Sequence, residues 1–204
     1  MCGIAGFYSW DHRRPTPEII RGLWGFQETR GKDAAGAAFL SEGTCRIIKR
    51  KGPARTLIAD LGDQRIETIA QSPWALFHAR ATTKGTQDQE ENNHPVLWKN
   101  WAVVHNGHVS NDNVLFAHYG IPRFAEVDTS AIPLVLSRGQ NYLDSLRHIG
   151  ILAGGVSAAA WCGDYADYIA VWRMGHNDIH VYLHEGVAYW SSSPLVGRLF
   201  SSNR

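Results

Sequence analysis

Hydrophobic and polar positions along the chain change rhythm twice. Over Ile4–Trp10 they alternate, which predicts a strand. Thr16-Pro17-Glu18 supplies a cap, a proline at the first helical position and an acid in the first turn. Ile20, Leu23 and Trp24 then recur at helical spacing, and Gly31 ends the helix. Ala37–Leu40 and Thr44–Lys49 read as a strand pair across the turn Ser41-Glu42-Gly43. Thr56–Ala70 reads as a helix weakened by Gly62, and Trp74–Arg80 and Trp101–His105 as strands. A long polar segment, Thr82–Asn93, separates those two strands. Helical spacing follows over Asn111–Tyr119, Thr129–Leu136 and Tyr142–Ile149. Strand patterns then return at Gly155–Trp161, Tyr168–Arg173, Ile179–Leu183 and Ala188–Ser191. Strands, then helices, then strands point to an α+β layered domain.

Composition narrows this little. The chain has 204 residues, 44% of them hydrophobic and 19% charged, with a net charge of +1. That is one ordinary domain with enough length for a core, and it carries no electrostatic footprint of nucleic-acid or membrane binding. Asp11, His12, Arg13 and Arg14 interrupt any secretory signal, and the longest apolar stretch, Ile149–Cys162, is too short to span a bilayer as a helix. Cys2, Cys45 and Cys162 are widely spaced and form no disulfide framework, which fits a reducing, cytoplasmic setting. His105 and His108 lack acidic or Cys partners at ligand spacing, so neither a metal nor another cofactor is expected.

Candidate chemistry begins at MCGIAGF. Loss of Met1 would give Cys2 both a thiol and a free α-amine, a nucleophile with its own base. The plainer reading is a small apolar residue opening a strand. In HARATTKG, Arg80 ends an apolar strand, where its guanidinium could grip a carboxylate or simply face solvent. In VVHNGHVSN a strand runs into Asn106-Gly107. That pair is a common hairpin turn, yet an Asn amide beside a Gly N–H is also the composition of an oxyanion hole. In EVDTSAI, Asp128 stands where a helix cap would.

Taken in order, MCGIAGF, RGKDAAG, HARATTKG, ENNHP, HNGHVSN and VDTSAI resemble the class II glutamine amidotransferase domain, an N-terminal-nucleophile hydrolase. The resemblance covers at least residues 2–136 and implies a four-layer α/β/β/α fold. It implies that Cys2 attacks the side-chain amide of glutamine, with its α-amine as base. It implies that Asn106 and Gly107 stabilise the oxyanion, that Arg80 and Thr83 bind the substrate α-carboxylate, and that Asp128 binds the α-ammonium. Arg30, Asp33, Asn92 and His94 match supporting positions. Ala81, Lys84 and Ser130 depart from the family's usual residues, without removing a catalytic group.

Large members of the family append a synthase domain that consumes the ammonia. This sequence ends at Arg204, so the expectation over 1–204 is a single glutaminase domain with no synthase domain, serving a separate ammonia-accepting synthase. Two alternatives stay open: a hydrolase of another γ-glutamyl amide, and a catalytically silent binding or structural protein of the same fold.

Overall fold

The computed structural model describes residues 1–201; the last three positions of the expected 1–204 domain lie outside the described residues. Two antiparallel sheets stand face to face. The larger has six strands in the order β3 (Thr44–Lys51), β2 (Ala34–Ser41), β4 (Trp74–Arg80), β1 (Gly3–Ser9), β10 (Val187–Ser191) and β9 (His180–His184). The smaller has four, in the order β5 (Val96–Trp98), β6 (Trp101–Val109), β7 (Gly154–Cys162) and β8 (Ile169–Met174). Helices α1 (Pro17–Gly25) and α2 (Ala54–Ala70) belong to the larger sheet, and α3 (Asp112–Tyr119), α4 (Ala131–Leu136) and α5 (Tyr142–Arg147) to the smaller.

Side-chain alternation decides which layer each residue joins. Ala5 and Phe7, Ala37 and Phe39, and Ala75 and Phe77 point outward and pack with Ile20, Leu23 and Trp24 of α1 and Leu57, Ile66 and Ile69 of α2. Their neighbours Ile4, Ala38, Trp74 and Leu76 point inward and meet Ala102, Val104, Ala159 and Trp161 of the facing sheet. Trp74 and Trp161 stack there with ring centroids 4.6 Å apart. Val103, Val156, Ala158 and Ala160 face the second helical layer, with Ile132, Leu134 and Val135 of α4. This is the four-layer α/β/β/α arrangement the sequence motifs imply. Fully buried residues such as Ile4, Phe7 and Phe77 each contribute roughly 1.5–3 kcal/mol.

Local signals explain most boundaries. Thr16 caps α1 by accepting from the Ile19 N–H, with Pro17 at the first helical position. The helix stops at Gly25, earlier than Gly31, because the chain tightens into a 3₁₀ turn over Phe26–Thr29. Within α2, Gly62 adopts φ 68° and ψ 176°, so the expected helix is two helices meeting at a break. The strand expected to end at His105 runs on to Val109. Asn106-Gly107 is therefore neither a hairpin turn nor a helix start: it pairs with Ser157 and Val156 of β7.

Gly36 tests how tightly β2 is packed. A Cβ there would lie 2.0 Å from the His94 carbonyl oxygen and 2.9 Å from that of Ile48, both backbone atoms that cannot rotate away. Gly36→Ala is expected to destabilise the domain by ~1–3 kcal/mol, seen as a lower denaturation midpoint with an unchanged slope. An unchanged midpoint would refute this packing.

Candidate active site

The inward-facing positions continue past the apolar core to one end of the sandwich, and there they become polar. On β4 the inward run Trp74, Leu76 leads to His78 and Arg80; on β6, Ala102 and Val104 lead to Asn106. Cys2 precedes β1 on the same side as Ile4. Strand periodicity thus puts a thiol and a guanidinium on the inner face of one sheet and a carboxamide on the facing inner face of the other.

Cys2 is half-buried and tethered on both sides. Its Sγ donates to the Ala81 carbonyl at 3.5 Å, and its own carbonyl accepts from Arg30 Nε at 2.9 Å. Gly3 lies so close to Gln27 that a Cβ would come within 2.6 Å of the Gln27 carbonyl oxygen. Burial pushes the Cys2 thiol up; the Ala81 hydrogen bond, the N-terminal charge and Arg80 oppose this, and Asp128 adds to it. A thiol held in its neutral form needs a base before it can attack.

Arg80 is 2% exposed. Its Nη1 donates to Asn93 Oδ1 at 2.8 Å, and its Nη2 donates to the carbonyls of Lys84 and Gly85 at 2.8 and 2.7 Å. Both Nη2 hydrogens therefore hold the polar loop, and the fork expected to face a ligand is reduced to Nε and one Nη1 hydrogen. Burial pulls the guanidinium's pKa down, against the negative charges of Cys2, Asp33, Asp128 and Glu126.

Asp128 does not cap α4. It opens a 3₁₀ turn, Asp128–Ser130, that precedes the helix. One carboxylate oxygen accepts from the Val109 N–H at 2.7 Å and lies 3.1 Å from His108 Nδ1; the other accepts from the Thr129 N–H at 3.0 Å. The carboxylate is thus fixed beside the end of β6.

Asn106 is 1% exposed, and among the described residues neither its Nδ2 nor its Oδ1 has a hydrogen-bond partner. A buried carboxamide left without partners costs about 1–3 kcal/mol. Gly107 has φ +133°, and a Cβ there would sit 1.9 Å from the Gly155 carbonyl oxygen.

No protein-family model matches the chain. Among curated relatives it is 32% identical over 154 residues to the glutamine–fructose-6-phosphate aminotransferase of Aquifex aeolicus, covering 72% of this chain and 24% of that one. It is 31% identical over 182 residues to the enzyme of the same name from Caldanaerobacter subterraneus, covering 85% and 28%. The chain thus spans about a quarter of the length of these relatives. In fold it is similar to glutamine phosphoribosylpyrophosphate amidotransferase from B. subtilis, with a TM-score of 0.78 at 18% identity over 97% of this chain and 43% of that one. A glutamine aminotransferase class-II domain protein from Silicibacter pomeroyi matches with a TM-score of 0.55 at 16% identity, over 95% and 89%. This chain carries a class II glutamine amidotransferase domain.

The remaining site positions of the amidotransferase domain divide into those that hold the framework and one that stands apart. Asp33 accepts from the Thr82 N–H through Oδ2 at 2.7 Å, while its own N–H donates to the Arg80 carbonyl at 2.9 Å. Asn92 is fully buried; its Oδ1 accepts from the Glu126 N–H at 2.7 Å and its Nδ2 donates to Glu126 Oε2 at 2.9 Å. These bonds tie the polar loop to the segment that carries Asp128. Thr83 is exposed, and among the described residues its hydroxyl has no protein partner. Lys84, which departs from the family's residue, forms an ion pair with the buried Asp112, as does Arg123 at 2.5 Å.

Sequence reasoning missed a buried histidine cluster behind the site. His78 and His94 stack with ring centroids 3.9 Å apart, and His78 Nε2 lies 3.1 Å from the His105 carbonyl oxygen. His94 Nε2 and His105 Nδ1 both reach Thr129 Oγ1, at 2.8 and 2.9 Å. Asn93, the partner of Arg80, was missed as well. Parity was the available signal for His78, two residues before Arg80 on the same strand face; nothing in the sequence pointed to Thr129. Among the described residues no group of three or more His, Cys, Asp or Glu is arranged to hold a metal, and no helix is long and apolar enough to cross a membrane.

Burial keeps these histidines neutral: His78 is pulled down to about 3, His105 to about 4, and His94 well below its ordinary value. Unfolded histidines protonate near ~6.5, so below that pH the unfolded chain binds protons that the folded chain excludes. Stability is then complete above about pH 6.5 and falls as the pH drops toward the folded values. The melting temperature is expected to decline between about pH 6.5 and 5, above the carboxylate range. A flat profile across that interval would mean the rings are not buried neutral.

Proposed function

We propose that the domain, once Met1 is removed, hydrolyses glutamine to glutamate and ammonia at Cys2, and that the ammonia passes to a separate synthase. The observation that carries this reading is the buried carboxamide of Asn106, without a partner among the described residues, on the inner face opposite that of Cys2 and Arg80. In the reading, the Cys2 α-amine takes the thiol proton and the thiolate attacks the side-chain amide carbon. Asn106 Nδ2 and the Gly107 N–H receive the developing oxyanion, and removing one such donor costs ~10²–10³ in turnover. As the C–N bond breaks, the proton goes from the α-amine to the leaving nitrogen, and ammonia departs. Water then attacks the thioester, releasing glutamate and restoring the thiol.

Arg80, with Thr83, receives the α-carboxylate and Asp128 the α-ammonium, so the substrate's two charges meet their opposites. Arg30, through the Cys2 carbonyl, and Asp33, Asn92 and His94, through the loop and its neighbours, position these groups. Burial pushes the thiols of Cys2, Cys45 and Cys162 up alike; what supports Cys2 as the reactive cysteine is its place beside Arg80 and the N-terminal charge, which oppose that rise. The free state of all three cysteines supports a cytoplasmic setting.

Active protein is expected to have an intact mass lacking methionine, and Cys2→Ala to abolish glutamine hydrolysis. A glutamine-like electrophile is expected to label Cys2 and spare Cys45 and Cys162. Full activity in protein that retains Met1 would remove the α-amine from the mechanism. If another γ-glutamyl amide is cleaved and glutamine is not, the donor is that amide.

For the oxyanion hole, Asn106→Ala is expected to lower kcat by ~10²–10³ with KM within a few-fold. A rise in KM with kcat intact would make Asn106 a binding residue.

A further inference from the structure

The Asn106-Gly107 stretch of β6 rests on an unusual patch of backbone. Gly107, Gly154, Gly155 and Gly175 come together where the end of β6 meets the start of β7 and the turn after β8. A Cβ on Gly107 would lie 1.9 Å from the Gly155 carbonyl oxygen; one on Gly154 would lie 2.1 Å from that of His108; one on Gly175 would lie 3.4 Å from the Gly155 Cα. Gly107 and Gly154 also have φ values of +133° and +120°, outside the range most side chains adopt. Glycine permits this close approach but supplies no stiffness, because it leaves the backbone its widest freedom.

One side chain bridges the patch. Asn177, on the turn between β8 and β9, donates from Nδ2 to the Gly155 carbonyl at 2.8 Å. The same Nδ2 lies 2.6 Å from where a Gly107 Cβ would be, so the carboxamide packs against the Gly107 backbone. Asn177 is itself anchored: its carbonyl accepts from Ser157 Oγ at 2.7 Å. Ser157 is fully buried and stands opposite Asn106 in the β6–β7 register. The chain of contact therefore runs from the residue opposite Asn106, through Asn177, to the carbonyl wedged against Gly107.

We propose that Asn177 is a positioning residue for the oxyanion hole, fixing the Gly155 carbonyl so that Gly107 presents its N–H in the orientation the transition state needs. This rests on the reading of Asn106 and Gly107 given above. Without the carboxamide the Gly155 carbonyl loses the bond from Asn177 that reaches it from the side of the β8–β9 turn. A misplacement of about an ångström at a catalytic donor costs up to ~10²-fold in rate. Loss of Asn177 acts indirectly, and the expected loss is about tenfold, below the cost of removing an oxyanion donor outright. The substrate's amino-acid end, held by Arg80 and Asp128, is untouched, so the loss falls on kcat.

The test compares wild type with Asn177→Ala and Asn177→Asp; the second keeps the shape and loses the donor. Asp178→Asn, an exposed neighbour paired with Arg173, serves as control. Three readouts are taken: kcat and KM for glutamine, the rate of Cys2 alkylation by iodoacetamide, and the amide resonance of Gly107 in the ¹⁵N spectrum. Iodoacetamide reacts by displacement and develops no oxyanion. The proposal expects kcat to fall about tenfold in both Asn177 variants with KM within twofold, alkylation unchanged, and the Gly107 resonance shifted, with the control like wild type.

An unchanged kcat with an unmoved Gly107 resonance overturns it. So does a rise in KM alone, or a parallel loss of alkylation, which would place the damage at Cys2. If Asn177→Ala is too unstable to assay, Asn177→Asp carries the same comparison. Should wild type fail to hydrolyse glutamine, the functional reading falls, and the Gly107 resonance alone then decides whether Asn177 fixes that peptide.

Discussion

The site depends on β1 being paired on both sides. Its residues Gly3–Tyr8 pair with β4, and Ala5–Ser9 pair with β10. Few sequences tolerate the packing this demands. Gly6 sits where a Cβ would come 2.3 Å from the Trp190 ring and 2.4 Å from the Ala75 carbonyl oxygen. The Ile4 N–H donates to Ser192 Oγ at 3.0 Å, and the Ile4 carbonyl accepts from the Ser192 N–H at 2.8 Å. A chain terminus is usually frayed. Here the segment directly after residue 2 is a central strand, and that is what gives a residue so near the terminus a fixed place among side chains from β4, β6 and the Asp128 turn.

Around that fixed point the structure buries polar groups at a density that packing alone would not favour. Arg80, Asn106, His78, His94, His105 and Asp128 are all under a tenth exposed. Arg80 is held by two carbonyls and Asn93, and Asp128 by two N–H groups, while His94 and His105 each engage the Thr129 hydroxyl through one ring nitrogen and have no partner for the other among the described residues. The bonds that Arg80 and Asp128 make restrict where their side chains can sit. Asn106 differs in degree: both of its side-chain polar atoms lack a partner among the described residues, whereas each of the three rings lacks one.

The fold was legible because the apolar pattern was regular. Alternation placed Trp74–Arg80 within a strand whose observed bounds are the same, and the capped start at Thr16-Pro17 was found in place. Boundaries failed where backbone geometry overrode pattern. Gly62 breaks α2 by its own dihedral angles, and β6 extends through Asn106-Gly107 because β7 offers a ladder across them. The short β5 was hidden behind a polar loop whose bonds run mostly through side chains. Within the site, ordered motifs singled out Cys2, Arg80, Asn106 and Asp128. They could not reveal that loop carbonyls occupy the Nη2 of Arg80, nor that Thr129 joins two rings, since both are facts of distance between segments far apart in sequence.

The position of β1 also sets a clock. Residue 2 leaves the ribosome well before the strand that pairs with β1 on its second side, Val187–Ser191. At ~5–20 residues per second, roughly ten to forty seconds separate the two. Through that interval the sheet around β1 is incomplete and the terminus has no pocket to enter. In the reading proposed above, Met1 would be removed from an open, growing polypeptide, and the thiol so uncovered would be enclosed only when the late strand arrives. Trimming and completion of the sheet would then be ordered in time by topology.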